Sequence, residues 1–232
     1  MVLGGIQKNS LIDYPGKNSC VLFFEGCNFS CPYCHNPNLI KGEWLRSCFV
    51  DDKSAFNFLK ERKGFLDGVV ISGGEPTIQK NLFSLCKKIK QIGYPIKLDT
   101  NGSRPQILKR LIKEGLVDYI AMDIKTDLSH YSPLIKKSHN TDNILASVEH
   151  IMVSAKDYEF RTTCVKPFVD ANIIRNIAKI IEGARLYVLQ PFNNTNVLYP
   201  KFFNTVDPGY EKSELVYLKS IAKPWVIKCI VR

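Results

Sequence analysis

Short apolar runs alternate with amphipathic stretches along most of the chain. Runs such as SCVLFFEG (19–26), DGVVISGG (67–74), PIKLDT (95–100) and VDYIAMDIK (117–125) are apolar almost throughout, the pattern of strands buried on both faces. YEFRTTCV (158–165), ARLYVLQPF (184–192) and WVIKCIVR (225–232) continue the series. Between them lie helical patterns with their own start and stop signals. VDDKSAFNFLKERKG opens with acids and closes on Lys-Gly, which suits the helix dipole. IQKNLFSLCKKIKQIG sets Leu82, Leu85, Cys86 and Ile89 at helical spacing and stops at Gly93; RPQILKRLIKEG begins with Pro and ends at Gly115. DANIIRNIAKIIEG repeats the design with Asp170 as its cap, and residues 126–156 read as one or two less regular helices.

Strand–helix–strand alternation implies parallel strands joined by right-handed crossovers. Six such units leave two architectures open, an incomplete (β/α) barrel and a doubly wound open sheet. In both, chemistry gathers at the carboxyl ends of the strands. Four groups of residues lie there: the cysteines after the first strand, GGEP after the second, DTNG after the third and MDIK after the fourth.

Composition narrows the class. With 232 residues, 45% hydrophobic and 23% charged, the chain reads as one globular domain: a leader over 1–18, a core over 19–192 and a C-terminal helix and strand over 193–232. No apolar run approaches the roughly 18 residues that span a bilayer, and MVLGGIQKNS is not built like a signal peptide, so a cytoplasmic location is expected. The net charge of +10 admits nucleic acid as a partner. However, the basic residues (Lys87, Lys88, Lys90, Lys109, Arg110, Lys136, Lys137, Lys212) are dispersed, and a basic surface equally speeds docking to an acidic protein.

Eight cysteines in that compartment argue against a disulfide scaffold. Cys20, Cys48, Cys86, Cys164 and Cys229 are scattered and read as small core hydrophobes. Cys27, Cys31 and Cys34 are different, set within CNFSCPYCHN at C-x3-C-x2-C. A structural zinc site wants four ligands, and neither the adjacent His35 nor any second cysteine pair completes one. A [4Fe–4S] cluster held by three thiolates keeps one iron with an open position, where a substrate or cofactor binds.

The C-x3-C-x2-C spacing with Tyr33 before the last cysteine resembles the signature of the radical S-adenosylmethionine enzymes. The resemblance implies a partial (β/α)6 TIM-like barrel and one cluster on Cys27, Cys31 and Cys34, with S-adenosylmethionine (SAM) chelating the fourth iron. It also implies that the cluster's electron cleaves the sulfonium to a 5′-deoxyadenosyl radical. Tyr33 would then pack near the adenine. SGGEP (72–76) resembles the family's segment after the second strand, in which Gly73, Gly74, Glu75 and Pro76 lie at the cofactor and Glu75 accepts from its ammonium. The bland reading of the same residues is a turn entering a helix with Pro76 first.

LDTNG (98–102), MDIK (122–125) and CHNP (34–37) are similar to the glycyl-radical-enzyme activases. That similarity implies a monovalent cation enclosed by Asp99, Thr100, Asp123 and the Ala121 carbonyl, with Asn101 beside the cofactor and Lys125 beside the cofactor or the substrate loop. Arg161 would pair with the cofactor carboxylate, and Gln190 stands where a relative has a cofactor-contacting histidine. GGIQKNSLIDYPGK (4–17) resembles the small activating proteins of anaerobic ribonucleoside-triphosphate reductase. The expected function is therefore removal of a glycine hydrogen on that reductase, with no catalytic side chain beyond cluster and SAM, and a flavodoxin or ferredoxin as electron donor. Alternatives are an activase of the pyruvate formate-lyase type, a radical enzyme acting on a small molecule or tRNA, and a non-enzymatic zinc module on nucleic acid. No membrane partner is expected, and the activase reading disfavours nucleic acid.

Overall fold

The computed structural model describes residues 2–41, 50–134, 140–204 and 207–232. Cys48, Lys136 and Lys137 lie outside them. Eight strands form one sheet: β2 (Gly5–Ser10), β3 (Ser19–Phe24), β5 (Gly68–Gly73), β6 (Ile96–Thr100), β7 (Tyr119–Asp123), β8 (Tyr158–Cys164), β9 (Tyr187–Pro191) and β10 (Cys229–Val231). The two remaining described strands, β1 (Val2–Leu3) and β4 (Val50–Asp51), pair only with each other. From β3 to β10 every neighbour is parallel and the spatial order follows the chain. A doubly wound sheet needs a point where that order reverses. None occurs, so the crossovers all step the same way, as in a partial barrel whose edges are β2 and β10.

The expected leader belongs to this sheet, since β2 pairs antiparallel with β3. Its sequence, GIQKNS, hides the role because an edge strand needs little apolar alternation and is protected by polar residues.

Period-two alternation sorts the strands into two faces. Leu22, Phe24, Val69, Ile71, Leu98, Met122, Phe160 and Leu189 meet the helices in one large core. The helices are α2 (Asp52–Glu61), α3 (Leu82–Ile92), α4 (Pro105–Lys113), α5 (Asp142–Ser154), α6 (Ala171–Ile180) and α7 (Lys212–Ala222), with the short α1 (Pro37–Lys41) following the cysteines. Their ends follow the local signals. Asp51 and Asp170 cap α2 and α6 by accepting from Ser54 N–H (2.9 Å) and Ile173 N–H (2.8 Å), and Gly93 ends α3 in the left-handed region. α3 starts later than its pattern indicates because Pro76–Ile78 forms a separate 3-10 turn. The opposite face of the sheet carries Val21, Val70, Tyr119 and Ala121 in a small second cluster. On that face, too, lie Lys97, Asp99, Asp123, Glu159 and Arg161, two residues apart along their strands.

Leu98, fully buried on β6, is expected to lose about 2–5 kcal/mol of stability as Leu98→Ala, whereas Val153→Ala, 79% exposed, should be nearly neutral; urea midpoints of the two decide it. Burial pushes the Cys20, Cys86 and Cys164 thiols up from an ordinary 9.0 to about 12. Above pH 9 the unfolded chain releases these protons while the folded chain keeps them. Stability should therefore hold up to pH 9 and fall from there toward pH 12, measurable as a declining urea midpoint.

Candidate active site

The loop after β3 carries Cys27, Cys31 and Cys34 and is held on several sides by backbone bonds. Gly26 N–H donates to the Leu39 carbonyl (2.8 Å) and Ser30 N–H to that of Leu134 (2.8 Å). From the segment after β9, Leu198 N–H donates to the Cys34 carbonyl and Tyr199 N–H to that of Pro32, each at 3.1 Å. The sulfurs also receive donors: Phe29 N–H to Cys27 (3.3 Å), Asn36 N–H to Cys34 (3.4 Å) and the Asn101 amide to Cys27 (3.9 Å). Burial pushes the Cys27 thiol up to about 12. It raises Cys31 to about 11, where Lys125 pulls the other way.

The SGGEP turn is docked on this loop. Gly74 N–H donates to the Phe24 carbonyl and Glu75 N–H to that of Gly26, each at 2.8 Å. A Cβ on Gly74 would collide with the Gly26 carbonyl, and one on Gly73, at φ +117°, with the Phe24 backbone. The close approach that requires these glycines within the protein is to the end of β3 and to the cysteine loop. Glu75, 1% exposed, accepts from Thr77 N–H (3.0 Å), Thr77 Oγ1 (2.5 Å), Thr100 Oγ1 (2.8 Å) and Asn101 N–H (2.7 Å). Burial raises its carboxyl pKa against the pull of those donors. Both oxygens accept inside the protein, so Glu75 caps its own turn and ties it to the end of β6, and it also lines the cavity. Pro76 is buried at the first position of the 3-10 turn and does not line the cavity.

On the inner face of β6, β7 and β8 runs a chain of ion pairs. Lys97 Nζ contacts Asp99 Oδ1, Arg161 Nη1 lies 3.4 Å from the same oxygen, Arg161 Nε donates to Asp123 Oδ1 (2.7 Å) and Lys125 Nζ to Asp123 Oδ2 (2.8 Å). Burial alone would raise both carboxyls, but Arg161 and the lysines outweigh it and hold them below the usual carboxylate range. Asp99 and Asp123, expected around a monovalent cation, are here met by the three side-chain cations Lys97, Arg161 and Lys125, and the Thr100 hydroxyl donates to Glu75.

Cys27, Cys31, Tyr33, Cys34, Gly73, Gly74, Glu75, Asp99, Thr100, Asn101, Asp123, Lys125, Arg161 and Gln190 all line one cavity of about 380 Å³. Tyr33 packs on Phe168 and Phe192 (centroids 5.4 and 6.5 Å), and His35 stacks on Phe192 with Nε2 2.7 Å from the Asn193 carbonyl. The sequence reading missed Asp13 and Thr163 in the lining and Lys97 beneath it. Asp13 sits in a loop with no periodic signal. Lys97 was detectable, since in IKLDT it shares a face with Asp99 while Ile96 and Leu98 take the other.

Among the described residues no three His, Cys, Asp or Glu side chains converge enough to hold a single metal ion. A cluster makes no such demand, because each thiolate binds a different iron, and N–H donors to the sulfurs are a normal part of such sites. The thiol set therefore fits a cluster better than zinc, and the cavity is of ligand size.

Residues 21–170 match the model of the radical SAM superfamily. A Methanocaldococcus jannaschii protein described as a glycyl-radical enzyme activating enzyme is 35% identical over 240 residues, covering 100% of this chain and 95% of its own. The pyruvate formate-lyase-activating enzyme of Clostridium pasteurianum is 31% identical over 199 residues, 80% of this chain and 79% of that protein. Among solved structures, Streptococcus suis SuiB bound to S-adenosylmethionine superposes with a TM-score of 0.67 at 14% identity, over 91% of this chain and 51% of SuiB, a likeness of fold. The chain belongs to the radical SAM superfamily and, within it, to the glycyl-radical enzyme activating enzymes. Such enzymes use a [4Fe–4S] cluster and SAM to generate a radical on a glycyl radical enzyme.

Gly74→Ala should cost about 1–3 kcal/mol and lower the iron bound after reconstitution, because the turn can no longer seat against Gly26. Wild-type stability and iron content would contradict that packing role.

Proposed function

We propose that this chain abstracts the glycine hydrogen of an anaerobic ribonucleoside-triphosphate reductase. Similarity over its whole length to a glycyl-radical activating enzyme carries the activase part of the reading. The stretch 4–17, which resembles the reductase activators, supports the choice of partner, and its Asp13 reaches the cavity. A partner of the pyruvate formate-lyase type is the second reading, favoured by the Clostridium relative.

Cys27, Cys31 and Cys34 would hold three irons of one cluster. When bound, cluster and SAM supply an electron and a 5′-deoxyadenosyl radical. The rest is placement. Lys125 and Arg161 present positive charge to the amino-carboxylate end, while Asp99 and Asp123 fix the orientation of both cations. Gly73 and Gly74 leave one wall free of side chains. Asn101, from the end of β6, adds an amide at Cys27, and Thr100 keeps Glu75 in place. Tyr33 and its aromatic neighbours keep water from one side, and Gln190 completes the lining on β9. No side-chain base is required, because the glycine loop need only be held within about 3–3.5 Å of the abstracting carbon. A cytoplasmic flavodoxin or ferredoxin fits the electron supply, since such acidic carriers suit a chain of net charge +10. No helix among the described residues is long and apolar enough to cross a membrane.

The test is anaerobic reconstitution followed by reductant, SAM and partner. The expected outcome is 5′-deoxyadenosine together with a glycyl-radical EPR doublet on the reductase. A doublet on formate-lyase alone would move the assignment to the second reading, and no cofactor cleavage at all would overturn both. Cys31→Ala should lose the cluster and all cleavage while the far-ultraviolet circular dichroism stays close to wild type.

A further inference from the structure

Asn101 is 5% exposed, and its side-chain amide has only one orientation that fits its surroundings. Oδ1 accepts from Ser103 N–H (3.0 Å). A backbone N–H can only donate, so this bond fixes which end of the amide is the oxygen and turns Nδ2 the other way. Nδ2 carries two protons. One is donated to Asn28 Oδ1 (3.0 Å) and the other is directed at Cys27 Sγ (3.9 Å). Asn28 in turn donates from its own Nδ2 to Ser103 Oγ (2.8 Å). Ser103, Asn101 and Asn28 thus close a ring of three hydrogen bonds in which each residue orients the next.

The ring determines what Cys27 experiences. The positive end of the Asn101 amide dipole faces its sulfur, in addition to Phe29 N–H at 3.3 Å. At 3.9 Å the contact is long for a hydrogen bond, but a dipole held rigidly in a low-dielectric interior acts over that range. The neighbouring carboxylate works the other way, since Glu75 disfavours negative charge on Cys27. Asn101 answers this as well, because its backbone N–H donates to Glu75 Oε2 (2.7 Å). A cluster that accepts one electron gains a unit of negative charge without making or breaking a bond. Donors to its sulfurs stabilise that state and raise the reduction potential.

We propose that Asn101 is a positioning residue for electron entry: acting through the Cys27 sulfur, its amide, aimed by the Ser103 backbone and Asn28, raises the potential of the cluster. The electron comes from a reduced one-electron carrier of the flavodoxin or ferredoxin class, which is oxidised as the cluster passes from 2+ to 1+. This rests on the cluster reading above and gives Asn101 a task other than contact with the cofactor.

The experiment is a redox titration of the cluster-reconstituted full chain, free of SAM, followed by the EPR signal of the reduced cluster. Asn101→Ala removes the donor. At a fixed potential the ratio of reduced to oxidised cluster should fall about tenfold, equivalent to a midpoint lower by ~59 mV for one electron. Asn101→Asp keeps the oxygen that Ser103 N–H needs and sets a second oxygen at the sulfur, so the ratio should fall further. Ser103→Ala removes the hydroxyl of the ring and leaves the backbone N–H in place, so the midpoint should stay at the wild-type value. If Asn101→Ala alone sheds its iron, the midpoint of Asn101→Asp decides. Wild-type midpoints in both Asn101 variants would overturn the proposal, as would an equal fall in Ser103→Ala, which would make the whole turn merely structural. Loss of the cluster or of the fold in both Asn101 variants would overturn it too, because Asn101 would then hold the iron rather than set its potential. A wild-type chain that assembles no [4Fe–4S] cluster would overturn the cluster reading itself.

Discussion

One buried carboxylate joins the parts of the site that the sheet alone would leave separate. Glu75 bonds its own turn through Thr77 and the end of β6 through Thr100 and Asn101. Asn101 in turn reaches Asn28 (3.0 Å) and Cys27 in the cysteine loop. Three strand ends, those of β3, β5 and β6, are thus held in one network. Such a carboxylate is tolerable in the interior only because four donors satisfy it, and the same donors would be left unpaired without it. The glycines beside it allow the turn and the loop to touch backbone to backbone, with no side chain to set the spacing.

The sheet divides its chemistry by face. Toward the helices it is apolar and continuous, which is where the stability of a parallel sheet resides. Toward the interior it is small-residue and aromatic at one level and ionic at the next, from Glu159 with Arg232 to Asp123 with Lys125. The ionic levels are costly to bury, so their presence marks the interior as a place built to meet a charged ligand. The ion pairs of lysine and arginine there are local and independent of the net charge of the chain.

Much of this was legible beforehand, though unevenly. The seven parallel strands announced themselves as apolar runs, and α2, α4 and α6 as patterns with start signals at Asp51, Pro105 and Asp170, because those signals are local. The cysteine spacing and the motifs after β5, β6 and β7 were equally local. β2 was not legible, since its pairing with β3 owes nothing to its own apolar pattern. The partners that Arg161 and Glu75 meet within the protein were not legible for a related reason, since Asp99 and Thr100 lie 62 and 25 positions away in the chain.

Local spacing is enough to reveal the alternation of strands and helices, the three-thiol loop and the polar residues at the strand ends, because each depends on a few neighbouring residues. Tertiary packing settles that β2 closes one edge of the sheet, that SGGEP seats on Gly26, and that Lys97, Asp99, Arg161, Asp123 and Lys125 form one ion-paired layer. Those outcomes depend on which side chains meet across neighbouring strands, and register in a sheet is settled by packing of the whole face.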